Sequence, residues 1–227
     1  MKKTCNKKLL PLALGALLVT TAGCSSRQVE FYQLPYAAAS VDGQAQGLSV
    51  LVGPVKLADY LQREQILQRQ PDGRLLYSRQ GRWAGGLDEE IGQLLLSRIA
   101  ASSNNSQISL YPDRVGVGPA AQIVVSISRL DSGEQLPAVL QAQWRLLDVQ
   151  GKQHSSGMLS LEQEHDGSMA GQVQAQSDLL QQLAAELGRA LEDYSRPLLH
   201  KSASSGASQP AAPQNSNGLP GKAVYRF

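Results

Sequence analysis

The sequence predicts an α/β fold: a single domain in which a mixed, largely antiparallel sheet is packed by two main helices. Three observations carry this. Ile123, Val125 and Ile127 alternate with Gln122, Ser126 and Ser128, and Leu140, Ala142, Trp144 and Leu146 alternate with Gln141, Gln143 and Arg145. A period of two belongs to a strand with one buried and one wet face. Leu87, Ile91, Leu94, Leu95 and Ile99 recur instead at helical spacing, and so do Leu180, Leu183, Leu187, Leu191 and Tyr194 near the end of the body. Strands, a helix, more strands and a second helix favour a mixed sheet over a bundle. A closed barrel is the alternative.

Taken in order, Val29 to Leu34 reads as a first strand. Leu48 to Val52 is apolar on both faces, which places it centrally in the sheet. A short helical or irregular stretch follows around Ala58 to Gln62. Gln65–Gln70 and Arg74–Arg79 flank Pro71-Asp72-Gly73, whose proline and glycine suit a tight reversal, so they form a hairpin. Gly85-Gly86 and then Asp88, Glu89 and Glu90 mark a helix start at about 87, with anions where the macrodipole favours them, and the helix runs to about 101. Gln107 to Tyr111 is a short strand. The two alternating segments and a more polar Met158 to Glu164, reached through an Asp148 to Gly151 turn, make a meander. A helix at about 173–195 lies across the sheet. There is no internal repeat.

The amino terminus is a processing signal. Lys2, Lys3, Lys7 and Lys8 precede the thirteen residues from Leu9 to Thr21, an apolar run well short of the ~20 that span a bilayer as a helix. Thr20-Thr21-Ala22-Gly23-Cys24 then reads as a lipobox. Residues 1–23 are a lipoprotein signal peptide, and Cys24 is the lipid attachment site, carrying diacylglycerol and palmitate-type chains that make membrane attachment effectively permanent. The competing reading is an ordinary secretory signal with Cys24 a free thiol. Ser25 stands where an aspartate would retain the protein at the inner membrane, so the expected address is the outer membrane, lipid-anchored and facing the periplasm.

Residues 24–47 hold the anchor, the first strand and a small-residue entry segment, 48–200 the body of the domain, and 201–227 a low-complexity tail expected to be flexible. The precursor's net charge of +2 comes from the four signal lysines, and without them the chain is mildly acidic. It lacks the clustered cations that nucleic acid requires. Cys5 leaves with the signal, so no intrachain disulfide or thiolate metal site can form.

Catalytic motifs are absent: there is no phosphate-cradling glycine loop, H-E-x-x-H, C-x-x-C or G-x-S-x-G. No cofactor and no metal are expected. Glu162, Glu164, His165 and Asp166 are the one dense polar cluster, but strand alternation sets Glu162 and Glu164 on one face and His165 on the other, as at a solvated strand end.

Two segments stand out, Val52-Gly53-Pro54-Val55-Lys56-Leu57-Ala58-Asp59-Tyr60-Leu61-Gln62-Arg63-Glu64-Gln65-Ile66-Leu67 and Arg82-Trp83-Ala84-Gly85-Gly86-Leu87-Asp88. With Tyr32-Gln33-Leu34-Pro35 and Trp144, and behind a lipobox, they resemble the PqiC (YmbA) family of auxiliary lipoproteins over roughly residues 28–197. That resemblance implies an α/β fold, an outer-membrane anchor and no enzymatic activity. It implies as partners an MCE-domain tunnel protein and its inner-membrane transporter components, moving phospholipids or other apolar molecules across the periplasm in support of membrane integrity. A homo-oligomeric ring matching the partner's symmetry is a further implication.

Tyr60, Leu61, Arg63, Arg82 and Trp83 are the candidate partner or subunit contacts, since loops carry binding residues and aromatics and arginines dominate interface hot spots. Each has a plainer reading: local loop packing for Tyr60, Leu61 and Arg63, a core plug for Trp83, and a strand-end hydrogen bond for Arg82. Trp144 reads as core. The alternative function is a periplasmic lipid-binding carrier protein.

Overall fold

The computed structural model describes residues 28–38, 41, 47–113 and 118–206. The lipobox, Cys24 and most of the entry segment lie outside them, as does the tail beyond Gly206.

Among the described residues eight strands and two helices follow in the order β1 (Glu30–Tyr32), β2 (Val50–Leu57), β3 (Gln65–Arg69), β4 (Leu75–Trp83), α1 (Leu87–Ser103), β5 (Ile108–Leu110), β6 (Ala121–Gly133), β7 (Leu136–Asp148), β8 (Gln153–Gln163) and α2 (Met169–Gly206), with a 3₁₀ turn at Asp59–Leu61 after β2. The sheet is open and mixed. β6, β7 and β8 form the long antiparallel meander. β2 lies between β5 and β6 and is parallel to both, which is why Val50, Leu51 and Val52 are buried on both faces. The β3–β4 hairpin joins the far end of β6 through a single pairing of Gln68 with Ser132, and β1 adds to the outside of β4, in parallel.

Local chemistry accounts for the boundaries. In the hairpin turn Gln70 N–H donates to the Arg74 carbonyl, and Gly73 takes φ +85°, a left-handed conformation that favours glycine. The Asp148 carboxylate accepts from the backbone N–H of Gln150 and Lys152, each at 2.9 Å, closing the β7–β8 turn. α1 buries Leu87, Ile91, Leu94, Leu95 and Ile99 on one face and stops at Asn104, which adopts φ +45°.

α2 begins earlier and ends later than its leucine pattern indicates. Val173, Leu179, Leu180, Leu183, Leu187 and Leu191 form its buried stripe, and the helix continues through Pro197 to Gly206, six residues into the stretch read as tail. The meander's third strand likewise starts at Gln153 rather than Met158. Its first half is serine-rich and has no apolar alternation to betray it.

The helices pack against each other and against one face of the sheet, α1 over β2 and β5, α2 over β6, β7 and β8. Their stripes and the row Val50, Val52, Ile123, Val125, Leu140 and Trp144 make one contiguous core. Gln141, Gln143 and Arg145 stand exposed on the opposite face. The segment after β1 is tied down to both helices. Leu34 is buried, its N–H donates to Glu90 Oε2 at 3.0 Å, and the Ser97 and Ser177 hydroxyls donate to the carbonyls of Ala37 and Pro35.

Candidate functional site

A cleft of about 830 Å³ opens beside the first turn of α1. Three separate stretches of chain build it: Phe31 from β1, the end of β2 with the 3₁₀ turn (Val55 to Leu57, then Leu61 to Glu64), and the β4–α1 junction from Trp83 to Asp88. Two of them are the segments singled out in the sequence.

The backbone explains how they converge. Against β6, β2 carries one extra residue between Val52 and Val55, a bulge formed where Gly53 adopts φ +110°. The Gly53 carbonyl is not wasted, since Gln122 Nε2 donates to it at 2.8 Å. The bulge re-aims the strand so that Val55 and Leu57 reach the cleft. Ala58 N–H then donates to the Ile127 carbonyl, and the Gln62 side chain donates back to the Leu57 carbonyl at 3.0 Å, holding the turn against the sheet. Trp83 N–H donates to Glu64 O at 2.7 Å and Ala84 N–H to Tyr32 O at 2.9 Å, so the end of β4 clasps the loop and β1 together.

The floor is apolar and the rim polar. Leu57, Leu61, Trp83 and Leu87 are buried, whereas Phe31, Lys56, Gln62, Arg63, Glu64 and Asp88 are exposed. That is the composition of a binding cleft in which apolar area supplies affinity and a few charges set orientation. A second cleft, of about 490 Å³, lies across the α1 start and shares Val55 and Asp88 with the first; Gly53, Pro54, Tyr111 and Pro112 line its far side. The larger therefore sits at the carboxyl ends of β2 and β4, and the second at the β2 bulge and the carboxyl end of β5, where open α/β sheets leave crevices.

Of the residues named from the sequence, Leu61, Arg63 and Trp83 line the larger cleft, Leu61 and Trp83 in its floor and Arg63 on its rim. Tyr60 and Arg82 do not. Arg82 Nη1 donates to the carbonyls of Ser78 and Gly81, each at 2.9 Å, bracing the irregular middle of β4. Tyr60 turns away to Asp131. Trp144 is buried in the core.

Asp131 was not foreseen. It is 1% exposed, and it accepts from Arg69 Nε and Nη2 (2.8 and 2.6 Å), Arg129 Nε (3.0 Å) and the Tyr60 hydroxyl (2.9 Å). Burial alone would push its carboxyl up. The hydrogen bonds from Arg69 and Tyr60 and the Arg129 charge outweigh burial and hold it below the usual carboxylate value. The same burial, with the Asp131 charge beside it, pushes the Tyr60 phenol up to about 12. Beside this cluster, Gln68, Ser132, Gln172 and Gln176 are linked through side-chain hydrogen bonds. Together these residues rivet the hairpin, the 3₁₀ turn and α2 to the end of β6, at the place where backbone pairing is thinnest. One faint signal of it is local: an aspartate and an arginine, Asp131 and Arg129, stand inside what proves to be a long strand.

The polar cluster near the end of β8 resolves into a turn. Gly167 N–H donates to His165 Nδ1, so Nε2 carries the proton and donates to the Leu136 carbonyl at 2.9 Å, while Asp166 caps Ser168. Among the described residues no three His, Cys, Asp or Glu side chains converge as metal ligands would, and no helix is long and apolar enough to cross a membrane.

The model of a family described as ABC-type transport auxiliary lipoprotein component matches residues 32–188. Two crystal structures share the fold. One, of an uncharacterized protein, has a TM-score of 0.58 at 19% identity, covering 73% of this chain and 99% of its own. The other, of a Xanthomonas campestris protein of the DUF330 family, has a TM-score of 0.59 at 14% identity, covering 78% and 99%. No curated protein matches the sequence significantly.

Proposed function

Because the chain belongs to the family of ABC-type transport auxiliary lipoprotein components, we propose that it is the non-enzymatic outer-membrane subunit of an MCE-type intermembrane lipid-transport system. In this reading Cys24 carries the lipid, the domain faces the periplasm, and the protein docks an MCE-domain tunnel whose inner-membrane components power transport. The observation that carries the docking role is the convergence of three chain segments on one cleft with a dry floor and a charged rim. Leu61 and Trp83 provide the apolar floor and Arg63 an exposed cation that can pair with an acidic group on the partner. Arg82 and Tyr60 act at one remove, by fixing β4 and the 3₁₀ turn that shape the cleft.

Affinity isolation from native membranes tests this. The wild-type protein should recover an MCE-domain partner, and Cys24→Ala should lose it along with membrane attachment. Recovery of no such partner by the acylated wild type sinks the proposal. The volume of the cleft also supports the second reading, a periplasmic carrier that binds lipid itself. A carrier would retain stoichiometric lipid after purification, which solvent extraction and mass analysis detect, whereas a docking subunit would not.

A further inference from the structure

Four of the nine large apolar side chains left exposed among the described residues lie together at one edge of the sheet. Val29 lies just before β1 and Phe31 within it, the latter 70% exposed; Leu76 and Tyr77 stand exposed on β4, the strand with which β1 pairs. β1 and β4 run parallel with Glu30 opposite Gly81, so Leu76 and Tyr77 lie on the side from which the chain arrives at β1. β4 also carries Arg79, which is exposed, and no acidic residue, whereas Arg82 is engaged with the Ser78 and Gly81 carbonyls. Among the described residues no strand covers the outer edge of β1.

Chain length says what faces this edge. Cys24 lies five residues before Val29 and seven before Phe31. Fully extended, those stretches span at most about 18 Å and about 25 Å, which is less than the width of a domain whose radius of gyration is about 16 Å. An anchor at Cys24 therefore keeps the β1 edge on the bilayer side. Aromatic rings and arginines are the side chains that settle at a membrane interface, rings among the headgroups and guanidiniums on anionic lipid.

We propose that the β1–β4 edge is a membrane-contact surface, with Phe31 at its centre and Val29, Leu76 and Tyr77 around it, seated in the headgroup region of the bilayer that holds the lipid on Cys24. This rests on the anchor proposed above. It sets the orientation of the domain: Phe31 is also on the rim of the larger cleft, so the cleft mouth opens beside the lipid surface rather than into the open periplasm.

The test uses the full acylated chain in vesicles of phosphatidylethanolamine and phosphatidylglycerol. Phe31→Cys, Val29→Cys and Met158→Cys each introduce the one free thiol of the mature protein, for a nitroxide label. Met158 is 83% exposed on β8, with β4, β3, β6 and β7 between it and β1, five strand spacings or about 24 Å. Labels at 29 and 31 should be relaxed by bilayer-dissolved oxygen and shielded several-fold from a water-soluble nickel chelate, with the reverse at 158. Acylated, vesicle-bound protein whose labels at 29 and 31 behave like that at 158 overturns this inference and leaves the anchor intact. A mass spectrum showing Cys24 without acyl chains overturns both.

Discussion

Replacing Asp131 by Asn keeps the shape of the side chain and removes its charge. In the native protein that carboxylate is buried and accepts four hydrogen bonds, three of them from guanidinium groups. Breaking a buried ion pair by removing one partner costs about 3–5 kcal/mol. Arg69 and Arg129 keep side-chain exposures of 23% and 28%, so both can recover water, and the cost falls at the low end, about 3 kcal/mol. For a domain of this size that corresponds to a fall in Tm of about 9 °C. Urea unfolding followed by the fluorescence of Trp83 and Trp144 measures it directly. The pH dependence gives a second readout. The folded-state carboxyl is held below its ordinary value of 3.8, so its contribution is present above that value and is lost as pH falls through the folded pKa. The gap between wild type and Asp131→Asn should be constant from about pH 8 to about pH 5 and close at lower pH. A loss under about 1 kcal/mol, or a gap unchanged in acid, would refute the view that this cluster joins the hairpin to β6.

Other substitutions probe the joint and the cleft. Tyr60→Phe should cost about 1 kcal/mol at neutral pH. Because the phenol is raised from 10.0 to about 12, wild-type stability should fall as pH rises above 10, and the variant should lose that part of the decline in alkaline unfolding curves. Gly133→Ala would drive its methyl into the Arg69 carbonyl oxygen, and urea denaturation should show a loss of about 1–3 kcal/mol from overpacking. Arg63→Glu changes an exposed rim residue, so the melting curve should stay within about 0.5 kcal/mol of wild type while recovery of the partner in affinity isolation falls. An unchanged recovery would remove Arg63 from the docking surface.

What could be read in the sequence was whatever short-range chemistry fixes. The α1 stripe with its acidic first turn, the Pro71-Asp72-Gly73 reversal, the Asp148 turn and the two alternating strands each depend on residues a few positions apart, and each is where the pattern places it. Errors fall where that signal thins. β8 begins five residues before Met158 because serines pair with β7 as readily as apolar residues do when only the backbone is needed. At the site, Leu61, Arg63 and Trp83 were legible as members of unusual segments. Asp131 and Arg69 were missed, because a lone charge in a strand reads as solvated until its partners, distant in sequence, are known.

Local pattern was enough for the class of fold, the positions of α1 and the hairpin, and a lipoprotein family whose model covers residues 32–188. It took the folded chain to show that β2 is parallel to both neighbours, that β1 closes onto β4, and that segments around residues 31, 57–64 and 83–88 meet in one cleft. Periodicity records which face of an element is dry, but partner and direction in a sheet are chosen by pairing across long separations. The cleft exists only where those separate choices leave a gap between strand ends and the start of a helix.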